Sequence, residues 1–144
     1  MRFEGSFRVR VPRQRVWEFL TNPTSFAAST PDLEDFRVTP EGFDVKYRTG
    51  ISFVKGTFHV RARYVEKRAP EYAKILAHGS GLQGSVDLAT IFELEDHGSE
   101  TDVKWQAHAA LGGMLAGIGS RLLASATRKH IEQLVHALKE KLEA

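Results

Sequence analysis

With 144 residues, a formal charge of +2 and no cysteine, the chain can bury one core of its own and is barred from disulfides, thiolate catalysis and Cys-ligated zinc or iron-sulfur sites. The small charge surplus falls well short of the basic footprint of a nucleic-acid binder, so no nucleic-acid partner is expected. Met1 runs straight into a strand pattern with no basic and apolar leader, and no stretch of about 20 apolar residues follows; one domain over residues 1–144, cytoplasmic, is the expectation.

Phe3, Phe7, Val9 and Val11 alternate with Arg2, Glu4, Ser6, Arg8 and Arg10, the period of a half-buried strand. Proline suits a first helical position, and Val16, Phe19 and Leu20 then recur at helical spacing, which predicts a short helix from Pro12 to Leu20. Asn22-Pro23 ends it, and a second short helix is predicted around Thr24 to Ala28. From Leu33 the pattern is strand, turn, strand, with turns at Pro40-Glu41-Gly42, Val54-Lys55-Gly56, Ala69-Pro70-Glu71, Gly79 to Gly84, and Asp96-His97-Gly98-Ser99. Such short links favour antiparallel neighbours. Phe43, Val45, Tyr47, Thr49, Ile51 and Phe53 share one parity, as do Phe58, Val60, Ala62 and Tyr64, then Val86, Leu88, Thr90, Phe92 and Leu94, then Val103, Trp105 and Ala107. One face of the sheet is therefore apolar and the other wet.

The last third, Leu111 to Leu142, reads as a long helix. At about 100° per residue, Ile131, Val135, Leu138 and Leu142 form a stripe that continues backward through Thr127, Ala124 and Ser120, so large side chains give way to small ones. Leu122 falls on the opposite side with Leu111, Leu115 and Ile118. One straight helix cannot bury both faces: either it bends at Gly117 or Gly119, or Leu122 stays exposed for a partner. Only this helix is long enough to cover the apolar sheet face. The predicted fold is α+β, a seven-stranded antiparallel curved sheet wrapped around a long C-terminal helix, with two short helices after the first strand. The small residues leave room beneath the helix's N-terminal half.

The six histidines are the first place to look for a metal or a base. His59, His78 and His108 fall on the wet strand face, His97 in a turn, and His130 and His136 on the helix, with none predicted to point inward. No zinc-type convergence is expected, although strand order decides whether His59, His78 and His108 meet. There is no Gly-x-Ser-x-Gly elbow and no Gly-Lys-Ser/Thr phosphate loop. No metal, cofactor or catalytic residue is assigned.

The candidate site is the apolar inner face. Its polar atoms come from Tyr47, Thr49, Tyr64, Thr90, Trp105, Ser120 and Thr127, and its walls from Phe58, Val60, Ile75, Leu88, Phe92 and Ala124. Sparse polar groups among apolar walls suit a small-molecule pocket; the alternative is a filled core whose hydroxyls bond nearby backbone. No carboxylate, lysine or histidine is predicted there, so acid-base chemistry has no agent. Met114, Leu115, Ile118 and Leu122 are predicted to form the mouth, or an apolar patch against a membrane or an enzyme.

Several strings resemble one family: Phe3-Glu4-Gly5-Ser6-Phe7, Val16-Trp17-Glu18-Phe19-Leu20-Thr21-Asn22-Pro23, Ala27-Ala28-Ser29-Thr30-Pro31, Gly79-Ser80-Gly81-Leu82-Gln83-Gly84-Ser85-Val86, Thr101-Asp102-Val103-Lys104-Trp105, and Leu115-Ala116-Gly117-Ile118-Gly119-Ser120-Arg121-Leu122-Leu123. The chain resembles the START-like helix-grip superfamily and, within it, the carbon monoxide dehydrogenase CoxG family. That resemblance implies a non-catalytic accessory protein with an apolar cavity, linked to a molybdenum hydroxylase, to peripheral attachment at the inner membrane face, and to a lipid or quinone. Ser29 stands where members often carry cysteine, and Asp32 where a glycine commonly follows the proline. The sequence stops at Ala144, two residues after the helix, without the apolar tail of many members, which argues against permanent anchoring. Two other readings remain: a protein-protein or membrane-recruitment factor without a ligand, and a cyclase or dehydratase with Tyr47 or Tyr64 as acid.

Overall fold

The computed structural model describes residues 1–30, 32–51, 54–82, 84–118 and 120–144, with backbone alone at 49–51, 54, 55 and 120. Its elements are β1 (Arg2–Val9), α1 (Arg13–Thr21), α2 (Pro23–Ala28), β2 (Leu33–Val38), β3 (Gly42–Ile51), β4 (Val54–Arg68), β5 (Tyr72–Gly81), β6 (Gly84–His97), β7 (Glu100–Gly112), α3 (Met114–Gly117) and α4 (Ser120–Glu143). Seven antiparallel strands form one sheet in the order β1-β7-β6-β5-β4-β3-β2. The predicted helix-grip architecture is the observed one.

The corner between α1 and α2 follows from one side chain. Asn22 ends α1 in an extended conformation, and its Oδ1 accepts from the backbone N–H of Thr24 and Ser25, capping α2 with Pro23 at the first helical position. Together α1 and α2 bury Val16, Trp17, Leu20 and Ala27 against the lower half of the sheet.

Three sequence expectations shift. Val54-Lys55-Gly56 is strand, paired with Ile51, Gly50 and Thr49, while Ser52 and Phe53 lie outside the described residues. Gly79 to Gly81 likewise belong to β5, which runs to the turn beginning at Leu82. Most consequentially, Leu111 lies in β7 rather than in a helix, because pairing with β6 continues to Ser85 opposite Gly112. Gly113, at φ 66°, turns the chain into the single turn of α3, and Ile118 in extended conformation ends it before α4 begins at Ser120. Both anticipated alternatives hold in part: the helix is interrupted between α3 and α4, with Gly119 outside the described residues, and Leu122 stays exposed.

The closing helix also sits at a different rotation. Leu138 and Leu142 are buried as expected, at 2% and 1% exposure. Above them the inward positions are Leu134, His130, Ala126 and Leu123, whereas Ile131, Val135 and Ala124 flank the stripe half-buried. The core divides accordingly. A large cluster joins α1, α2 and the end of α4 to Phe43, Ile75, Phe92 and Val103, and a small one at the other end joins Phe58, Leu115 and Leu123.

The end of α4 is fastened where Glu143 accepts from the Arg10 backbone N–H at 2.9 Å and Lys141 donates to the Ala28 carbonyl at 2.9 Å. Nearby, fully buried Thr101 donates from Oγ1 to the Val11 carbonyl at 2.8 Å. Thr101→Val keeps the shape and orphans that carbonyl, so urea unfolding should show a loss of about 1–3 kcal/mol; an unchanged midpoint would mean that the bond contributes nothing net.

Candidate functional site

Between the two clusters lies a cavity of about 140 Å³. Its walls are Tyr47 from β3, Phe58 and Val60 from β4, Ala77 and Gly79 from β5, Val86 and Leu88 from β6, and Ala109 and Leu111 from β7. Met1 and Leu115 close one side, and Leu123, Ala126, Thr127 and His130 of α4 form the roof. The space exists because facing positions are small. Ala77, Gly79, Ala109 and Ala126 project little or nothing toward the middle, and opposite Gly79 a Cβ would already come within 3.3 Å of the Val60 Cγ2.

Three rings line one wall in sequence. Phe58 stacks on Tyr47 at 5.9 Å between centroids and 23° between planes, and Tyr47 stacks on His130 at 5.6 Å and 25°. Burial pushes the Tyr47 phenol up from its usual range, keeping it protonated. Burial likewise pushes the His130 imidazole down, partly opposed by the charge of Asp32. Near neutral pH the lining side chains therefore carry no formal charge, and the polar ones are a neutral imidazole, a phenol and the Thr127 hydroxyl. His130 overturns the expectation that no histidine points inward, and with it the expectation that the inner face has no acid-base group.

Of the sequence-predicted residues, Tyr47, Phe58, Val60, Leu88 and Thr127 line this cavity. Tyr64, Ile75 and Phe92 instead belong to the filled core, where the Tyr64 hydroxyl donates to the Leu20 carbonyl at 2.6 Å. That leaves Tyr47 as the tyrosine at the cavity. Trp105 lies across Gly5, where a Cβ would approach its ring to 2.7 Å, and is not part of the lining. Thr90 and Ala124 are half-buried outside the lining, and the side chains of Thr49 and Ser120 fall outside the described residues. Among the predicted surface contacts, Met114 and Leu122 are 68% and 56% exposed, Ile118 is half-buried, and Leu115 turns inward to 2% exposure because Gly113 redirects the chain. Sequence reasoning misses Met1, Ala77, Gly79, Val86, Ala109, Leu111, Leu123, Ala126 and His130. Val86 is on the right parity for the inner face, Ala77 shares the parity of Ile75, and Gly79 is hidden by the turn expected there; Ala109 and Leu111 need the true end of β7, and Leu123, Ala126 and His130 the true rotation of α4.

His59, His78 and His108 do not gather into a ligand set. Among the described residues the one group bringing three candidate ligand atoms within 4.8 Å of each other is Glu95, His97 and Asp102, at the far end of the sheet. There the Arg8 guanidinium sits 2.6 Å from Asp102 and holds its carboxyl below the usual range, an ion-pair network in its own right.

A profile of the carbon monoxide dehydrogenase CoxG family matches residues 5–143. No curated protein matches the sequence. Among solved structures, a conserved protein from Geobacillus kaustophilus superposes with a TM-score of 0.90 at 20% identity, over 99% of this chain and 95% of the other. A START superfamily protein from Mycobacterium smegmatis gives 0.72 at 10% identity over 99% and 97%. The Zhui aromatase/cyclase from Streptomyces sp. R1128 gives 0.73 at 13% identity over 99% and 93%. At these identities the solved structures show the shared fold and nothing about chemistry.

The buried imidazole ties stability to pH. A histidine whose pKa is lowered on folding binds fewer protons in the folded than in the unfolded chain, so its contribution is complete above the unfolded value of about 6.5 and is lost as pH falls below it. Thermal melts from pH 8 to 5 should show a declining midpoint on the acid side that flattens in His130→Phe; an identical slope in that variant would mean that His130 charges without cost.

Proposed function

Because the chain belongs to the carbon monoxide dehydrogenase CoxG family, we propose that it is a non-catalytic accessory protein that carries a small apolar molecule, lipid-like or quinone-like, for a molybdenum hydroxylase of the carbon monoxide dehydrogenase type. The observation that carries this reading is the cavity with its stacked wall. A volume of about 140 Å³ suits one six-membered ring, since a comparable apolar void of about 150 Å³ admits benzene. The flat surfaces of Phe58, Tyr47 and His130 favour a planar ring, and the phenol and imidazole reward a carbonyl or hydroxyl on it. A longer tail would leave past α3.

Uptake of 2,3-dimethoxy-5-methyl-1,4-benzoquinone, menadione and palmitate, followed by native mass spectrometry, tests this directly. The single-ring quinone should bind one to one, and Ala126→Leu, which fills the void, should weaken it at least tenfold while leaving the melting temperature equal or higher. Failure of the wild-type protein to take up any of the three would remove the carrier reading.

The cavity end also has the make-up of a surface that meets an anionic membrane, and we read it as the site of peripheral contact at the inner membrane face. Residues 56, 57, 79–82, 84–86, 110–118 and 121–131 contain no aspartate or glutamate but include Arg121, Arg128 and Lys129. Leu82, Met114 and Leu122 stand there 98%, 68% and 56% exposed. The opposite end carries Glu41, Glu71, Glu95, Asp96 and Glu100 in or beside its turns. Apolar tips among basic groups are how peripheral elements hold anionic lipid; among the described residues no helix is long and apolar enough to cross a membrane. Co-sedimentation should be stronger with phosphatidylglycerol than with phosphatidylcholine vesicles and should fall several-fold in Met114→Asp/Leu122→Asp. Equal retention by both lipids, or by the variant, would count against this contact.

A further inference from the structure

The outer face of the sheet, away from the cavity, is built in a pattern that the carrier reading does not use. Strand register lines up Arg63, Leu76, Ala89, His108 and Arg2 in one row, and Arg61, His78, Asp87 and Ala110 in the next. Cationic posts therefore stand on either side of an apolar saddle. Because Ala89 and Ala110 are short, a depression of about 580 Å³ lies between the posts.

The charges at the saddle are unevenly committed. Asp87, its one carboxylate, is held by the His78 Nδ1 at 2.6 Å. Arg61 is 84% exposed with only a distant pairing to Asp44 at 3.7 Å. Arg63 is exposed and has no ion-pair partner among the described residues. Cationic capacity is thus left over on the β4 side, with His108 opposite and, beyond it, Arg2, which Glu4 meets at 3.5 Å.

We propose that this saddle docks an acidic amphipathic helix of a partner protein. One apolar side chain of that helix rests on Leu76, Ala89 and Ala110, and a carboxylate one turn to each side meets Arg61 and Arg63 on one flank and His108 and Arg2 on the other. The dimensions agree. Arg63 and His108 are three strand spacings apart, about 14 Å, two helical turns cover about 11 Å, and arginine side chains bridge the difference. A bilayer fits less well, because Asp87 and, beyond Arg61, Asp44 would face its phosphates, whereas separate carboxylates can fall between them.

The probe is a fluorescein-labelled helical peptide of sixteen residues or so, with a central leucine flanked one turn away on each side by glutamate, and a twin with glutamine at both positions. Anisotropy at low ionic strength should show saturable binding of the glutamate peptide that weakens at least tenfold in the twin and in Arg63→Glu, and by a smaller factor in Arg63→Gln, with circular dichroism unchanged. Arg128→Glu on α4 serves as a charge-matched control and should leave binding intact. Absence of saturable binding, or an equal loss in Arg128→Glu, would overturn the proposal. So would binding to phosphatidylglycerol vesicles that, unlike the peptide's, depends on Arg63.

Discussion

The structure depends on one mismatch: a seven-stranded sheet with a single apolar face, and one long helix to cover it. The buried face of that helix carries large aliphatic side chains toward its end and again only near its start. Leu138 and Leu142 seal the lower half with Val9, Val16 and Val103, each such burial giving about 1.5–3 kcal/mol. Eight residues and more before Leu138, the roof is His130, Thr127 and Ala126, and a large aliphatic residue returns only at Leu123. The gap would close if the sheet rose to meet it, but the sheet presents Ala77, Gly79 and Ala109 there. Anchoring and void are two consequences of one distribution of side-chain volume.

What can be read in the sequence follows from how distinctive each local signal is. Alternation of charged or polar residues with aromatic and β-branched ones leaves no second interpretation for β1, β3 and β4, and proline with asparagine fixes the corner between α1 and α2. Residues 107–115 are different. Alanine and leucine satisfy a strand and a helix alike, so the end of β7 and the turn of α3 are hidden, and Leu115 is expected outside when Gly113 sends it in. On α4 the eye follows Ile131 and Val135, yet spacing from Leu138 by fours reaches Leu134, His130 and Ala126. The correct stripe is easily overlooked because it contains a histidine, and the site loses its most polar member for that reason.

The charge distribution reinforces the division between the two ends. One connected group of ion pairs lies where the core is solid, Arg8 with Asp102 and Glu100 and His97 with Asp102, and Arg10 pairs with Glu143 nearby. Exposed pairs of this kind contribute little stability singly. Near the cavity the carboxylates are fewer, Asp32 acting on His130 and Asp87 held by His78, while Arg121, Arg128 and Lys129 stand on α4 beside exposed Leu122. A ligand entering there, or a surface approaching there, meets basic groups and apolar tips first.

His130 then imposes a selection on whatever occupies the cavity. Its imidazole is half-buried and stacked on Tyr47. An occupant would complete its burial, and removing a polar group from water without a hydrogen-bond partner costs about 1–3 kcal/mol on protein scales. A purely hydrocarbon ring offers no such partner and forfeits part of what its own burial gains. A ring bearing a carbonyl or hydroxyl within reach of the imidazole or of the Tyr47 phenol offsets the loss and keeps the full apolar contribution. On the carrier reading, the volume would limit an occupant to a small head and His130 would favour one that is polar at one point.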